Sequence, residues 1–186
     1  MSRVVDRGAI VAAYVGIGMA VVIAISFLLV IPIEPLYWLF SLPAGLLIGY
    51  YANARSDRQA GPWARILANG LFAGLVTAVT MAVLLLGVKA LFFYADNGYR
   101  DASLGAPLEC ASGPDCVYAR YLADGRGPDL EAAGVSDVGS FTSFYWSQQF
   151  STAATVLVLT VVGGLGGALA YGVTRPKSRR VDHLAT

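Results

Sequence analysis

ILANGLFAGLVTAVTMAVLLLGV, the 23 residues at positions 66–88, runs from Arg65 to Lys89 without one charged side chain. A helix crossing the ~30 Å hydrocarbon layer of a bilayer needs roughly 20 residues. Inside that layer each backbone N–H and C=O must find its partner within the segment, so a segment that crosses alone must be helical. Working outward, positions 8–33, 35–54 and 138–174 are equally free of charge. The chain therefore reads as an all-α membrane protein: a four-transmembrane-helix bundle forming a single membrane domain, with spans at about 8–31, 37–52, 64–94 and 141–173. Composition agrees, because 56% hydrophobic and 13% charged residues, with a mean hydropathy of +0.62, fall outside the usual range of soluble domains.

Orientation follows from where the bases lie. One side, made of the N-terminus, the loop after the second span and the C-terminal tail, holds Arg3, Arg7, Arg55, Arg58, Arg65, Arg175, Lys177, Arg179 and Arg180 against Asp6, Asp57 and Asp182. The other side holds Lys89, Arg100, Arg120 and Arg126 against nine acids. Lys and Arg in short loops stay inside, so both termini are expected in the cytoplasm and the segment at about 95–140 outside a plasma membrane. The positively charged start resembles a signal peptide, but the apolar run behind it exceeds the ~7–15 residues of such a leader. It is read as a retained first span. The turn between spans one and two is expected at Ile31-Pro-Ile-Glu-Pro35, where two prolines three residues apart disfavour a continuing helix. Tyr37 and Trp38 then mark the outer interface and Tyr50 and Tyr51 the inner one, as an aromatic belt does.

Small residues recur four apart in each span: Gly16 between Ala12 and Ala20, Gly45 with Gly49, Gly70 with Gly74, and Gly163 with Gly167. Residues four apart share a helix face, and small side chains there let backbones approach closely in lipid. These rows predict tight packing inside the bundle or, as the sharper alternative, contact between two copies of the chain.

The outer segment carries both cysteines, Cys110 and Cys116, around a Gly113-Pro114 turn. In an oxidising compartment such a pair is a disulfide. A short helix over 116–124 stopped by Gly125, a second turn over 128–133 stopped by Gly134, and a helix cap at Ser136-Asp137 complete the expected outer cap. Lys89 lies near the outer boundary of span three, where a long side chain can snorkel to water. The alternative is an outer polar cluster of Lys89 with Glu34, Gln148 and Gln149, fit to bind an anionic headgroup or a solute, or to tie the hairpins together.

No nucleophile elbow, phosphate loop, haem or zinc ligand set appears, so no catalytic, cofactor or metal residue is assigned. The run at Gly163 lies inside an apolar span and reads as packing. The basic tail after Thr174 reads as a topology signal that touches anionic lipid, not as a nucleic-acid arm. Four spans and an outer disulfide invite comparison with tetraspanins and claudins. The tetraspanin Cys-Cys-Gly motif is missing, however, and claudins place their pair in the first outer loop, here only the Pro-Ile-Glu-Pro turn. The Ala-, Gly-, Val- and Arg-rich composition resembles that of small membrane proteins from GC-rich bacteria. The expected role is a non-enzymatic accessory or scaffolding protein whose partners are the bilayer and either another membrane protein or its own copies. The alternative is a small oligomeric transporter or channel.

Overall fold

Helices that are apolar on every side have no polar face to offer water, and this chain builds most of its structure from them. The computed structural model describes residues 5–29, 34–56, 61–95 and 110–174, with side chains described for 5–26, 39–56, 61–95 and 110–174. Among these residues there are six helices and no strand: α1 (Arg7–Leu29), α2 (Glu34–Ala54), α3 (Trp63–Ala95), α4 (Pro114–Ala123), α5 (Gly127–Ala132) and α6 (Val138–Thr174). Three helical stretches, Arg7–Ser26, Trp63–Ala95 and Val138–Thr174, are long and apolar enough to cross a membrane. Their outward faces are apolar: Tyr14 is 72% exposed, and Ile25 and Val83 lie similarly bare. An apolar surface of that extent is what lipid covers.

The 21-residue α2 begins at Glu34, earlier than the proline pair suggests. Pro35 therefore falls in the first helical turn, where the missing N–H had no helical partner to lose. Pro43 is accommodated inside the same helix on its exposed side. Its ring forfeits one backbone bond there.

The chain divides into two compact units, residues 1–82 with 155–186, and residues 83–154. In the first unit the core is built from small side chains. Ala9, Ala12, Ile48, Ala52 and Ala73 pack together, with Met19, Tyr51 and Phe72 around them. Ile66, Ala168 and Tyr171 form a second cluster. Alanine and glycine supply little area to bury, so stability here comes from close contact of backbones instead of bulky side chains.

The second unit is packed in the opposite style. Phe93, Leu130, Val135, Phe141 and Tyr145 are all buried, with Val117, Tyr118, Tyr121 and Trp146 packed against them. The short helices α4 and α5 end in turns at Gly125 (φ 77°) and Gly134 (φ 75°), backbone conformations that strain any residue with a Cβ. Val135 N–H then donates to the Leu130 carbonyl at 2.9 Å, returning the chain toward α6.

Candidate functional site

The glycine rows meet one another inside the first unit. A Cβ added at Gly49 would overlap the carbonyl oxygen of Gly164, and one at Gly45 the carbonyl oxygen of Thr160. From the other side, a Cβ on Gly167 would overlap the Leu46 carbonyl oxygen, and one on Gly163 would come 2.5 Å from the Leu42 oxygen. So α2 lies directly on α6, backbone against backbone. On the same stretch of α6, a Cβ at Gly70 would come 2.5 Å from the Ala168 Cβ, and one at Gly74 3.2 Å from the Gly164 Cα. Gly16 faces the Thr77 hydroxyl. Of the two expected uses of these rows, contact within the chain is the one the geometry displays. The two buried threonines described in this unit bond within their own helices: Thr77 donates to the Ala73 carbonyl at 2.9 Å and Thr160 to the Val156 carbonyl at 2.8 Å.

A polar cluster that adjoins these rows at Gly49 and Gly70 was not visible in the spacing of residues. Asn69 accepts a hydrogen bond from the Asp6 N–H at 3.1 Å and donates to the Asp6 carboxylate and to Asn53 Oδ1, each at 3.3 Å. Asn53 donates to the carbonyls of Gly49 (3.1 Å) and Ile66 (3.0 Å), and the Ser56 hydroxyl donates to Asp6 at 2.8 Å. Asn53 and Asn69 are each 1% exposed. The start of α1, the end of α2 and the first turns of α3 are thereby fastened together. Gly8 permits this, since a Cβ there would come 2.5 Å from the Ser56 nitrogen. In sequence Asp6 counts only as a charge near the terminus and Asn53 as the start of a loop. Asp6 just ahead of an apolar helix was the available signal, because Asp is a favoured residue at helix starts.

In the second unit the Cys110–Cys116 disulfide is formed, with Cα atoms 5.4 Å apart. Helix α4 starts at Pro114, two residues before the expected position, so Cys116 falls in its first turn. From α4, Tyr118 and Tyr121 reach the Phe141 ring at 5.2 and 5.0 Å, and Arg126 sits over Tyr121 at 4.5 Å. The disulfide thus anchors the helix that lays these aromatic rings on α6. Replacing both cysteines by serine is expected to cost the unit about 2 kcal/mol, the chain-entropy value for so short a loop. Near-ultraviolet circular dichroism, which reports the ring cluster, should show a lower melting midpoint with native signal retained at low temperature. An unchanged midpoint would mean that the aromatic contacts alone hold α4.

Asp137 caps α6: Ser140 N–H donates to its carboxylate at 2.8 Å, while the Ser140 hydroxyl accepts from the Asp137 N–H at 3.1 Å. This reciprocal pair is a capping box. The Ser140 backbone bond first, and the Ser140 hydroxyl second, hold the carboxyl below its ordinary value. A carboxyl lowered on folding stabilises above its unfolded value and loses that contribution as pH falls through the folded one. The melting midpoint of the native chain should therefore drop below about pH 4, the ordinary aspartate value, and the drop should shrink in Asp137→Asn. Parallel pH profiles for the two proteins would rule this cap out as a source of acid sensitivity.

The expected outer polar cluster draws its residues from three helices, α2, α3 and α6. Glu34 opens α2, and its side chain lies outside the described residues. Lys89 and Gln149 both belong to the second unit, Lys89 half-buried and Gln149 3% exposed, whereas Gln148 is exposed. Along α3, Lys89 stands midway between Leu85 and Phe93, both buried, four residues from each. Along α6, Gln149 stands in the same way between buried Tyr145 and Ala153. No cluster of three or more His, Cys, Asp or Glu suited to a metal ion occurs among the described residues. No family model matches this chain, and the searches of curated proteins and of solved structures likewise returned no match.

Proposed function

We propose that the chain is a four-span protein of the plasma membrane, both termini cytoplasmic, acting as a non-enzymatic accessory or scaffold that presents its outer unit to a membrane-protein partner. The observation that supports this reading is the contrast between the two units. In the first, the small-residue rows are occupied by one another, and the described buried threonines bond their own helices. That arrangement suits a support more than a conduit, since solute pathways are ordinarily lined by polar groups that face a shared lumen. In the second, a disulfide and an aromatic core hold short helices whose surface carries exposed Asp115, Asp124, Asp129 and Glu131. A negative surface of that kind suits a basic partner. The disulfide favours an oxidising compartment for this unit, in keeping with the basic residues near the termini.

The test is purification from native membranes in mild detergent, for the native chain and for Asp124→Lys combined with Glu131→Lys. A stoichiometric partner that stays with the native chain and leaves the charge-reversed one supports the scaffold reading. A partner-free oligomer that conducts solute in vesicles overturns it in favour of a transporter or channel.

A further inference from the structure

The two halves of the Cys110–Cys116 disulfide have unequal surroundings. Cys116, in the first turn of α4, is 2% exposed, whereas Cys110 is half-buried and is followed by exposed Ala111 and Ser112. Thiol–disulfide exchange starts with a thiolate attacking one of the two sulfurs. Access decides which sulfur is attacked, and the stability of the departing thiolate decides how readily the other leaves. Both considerations point the same way in this unit. Cys110 is the open sulfur. Cys116 is the better leaving group, because the N–H groups of a first helical turn have no carbonyl within the helix to bond. Gly113, at the cap position, has no side chain to occupy them, and the positive end of a helix stabilises a thiolate. Asp115 opposes that effect from an exposed position, where water and salt screen it. Burial in turn favours the neutral thiol once the sulfur has left. For that S–H an acceptor already stands nearby, since the Cys110 carbonyl oxygen lies 3.8 Å from Cys116 Sγ.

We propose that this disulfide is an exchange site with a fixed direction: an incoming thiol is captured on Cys110, and Cys116 departs. In that step the attacking thiolate sulfur bonds to Cys110 Sγ as the bond between the two cysteines breaks. The electron pair of the broken bond leaves on Cys116 Sγ, which then takes a proton from water. One disulfide replaces another, so the step consumes no further oxidant or reductant. Cys110 thereby becomes the attachment point for a thiol-bearing molecule. Tyr118 and Tyr121 keep their own contacts with Phe141, at 5.2 and 5.0 Å. Capture therefore releases Cys110 from α4 and leaves the ring cluster in place at low temperature. The site is independent of the scaffold reading, since a scaffold and a transporter could both carry it.

The experiment exposes the purified full chain in mild detergent to 2-mercaptoethanol, an uncharged monothiol, for short times. Acid stops the exchange, N-ethylmaleimide marks the newly freed thiol, and peptic peptides are read by mass spectrometry. The mercaptoethanol adduct is expected on Cys110, and the maleimide on Cys116, in about tenfold or greater excess over the reverse pattern, because access governs attack. In sodium dodecyl sulfate at unfolding concentration the two patterns should approach equality. The near-ultraviolet signal of the ring cluster should persist in the exchanged protein at low temperature. Equal labelling of the two cysteines in the folded chain, or an excess on Cys116, would overturn the proposal. So would a preference that is unchanged on unfolding, which would assign it to the local sequence, and so would a folded chain that forms no adduct under conditions in which the unfolded chain does, which would make the bond a closed staple. Loss of the ring signal on exchange would overturn the release of Cys110 alone.

Discussion

Gly49→Ala and Gly167→Ala are each expected to destabilise the first unit by about 3 kcal/mol, the upper part of the range for overpacking. The added methyl at Gly49 meets the Gly164 carbonyl, with the Gly164 Cα only 2.8 Å away, and at Gly167 it meets the Leu46 carbonyl, with the Tyr50 nitrogen 2.7 Å away. Side chains could rotate aside, but these are backbone atoms of a neighbouring helix. Relief therefore requires α2 to move off α6, which opens every contact along the seam. The two substitutions should not add, because either one already separates the same pair of helices. Gly18→Ala and Gly87→Ala are the controls: nothing lies within 4 Å of a Cβ at either site. There the better helix propensity of alanine should leave stability unchanged or raise it by up to about 1 kcal/mol. Unfolding by sodium dodecyl sulfate in mixed micelles, followed by circular dichroism, measures all four. If Gly49→Ala behaved like Gly18→Ala, the direct approach of α2 to α6 would be wrong.

Asn69→Ala carries the other large expected effect, about 3 kcal/mol. The substitution removes three hydrogen bonds at once and leaves the Asp6 N–H without its acceptor and the Asn53 side-chain Oδ1 without its donor. An orphaned buried polar group costs ~1–3 kcal/mol, more than the net gain from forming an average hydrogen bond. Ser56→Ala removes the hydroxyl bond to Asp6, whose carboxylate keeps its contact with Asn69. That loss should be about 1 kcal/mol. Hydrogen exchange locates the damage: in Asn69→Ala the first turn of α1 should lose protection ahead of the rest of the helix. Loss spread evenly along α1 would argue that the cluster does not act as the local fastening described here.

Much of the architecture could be read from residue types because membrane helices are selected by length and apolarity, and neither depends on what lies beside them. The charge-free runs at 66–88 and 138–174 sit within α3 and α6. The turns at Gly125 and Gly134 were equally visible, because positive φ is a local demand that glycine meets. The boundary at Pro35 was harder. Proline near a helix start and proline in a turn look alike in sequence, and only the path of the chain separates them.

The contacts among helices were beyond that kind of reading. Gly45, Gly49, Gly163 and Gly167 stand out as a pattern, but a row of small residues states only that something comes close. That the something is another row of the same chain is a fact of packing. Asp6, Asn53, Ser56 and Asn69 lie up to 63 positions apart, and hydrogen bonding between such groups depends on helix ends arriving together. Lys89 shows the same limit from the other side. Its depth along α3 could be counted from sequence, whereas the register of α3 against α6 in the second unit required the Phe93–Tyr145 contact. The sequence by itself determined which segments are helices and how apolar they are, since those follow from each residue's own solvation and backbone preference. Only the tertiary structure decided which faces meet, because that depends on shape complementarity between segments that no single segment encodes.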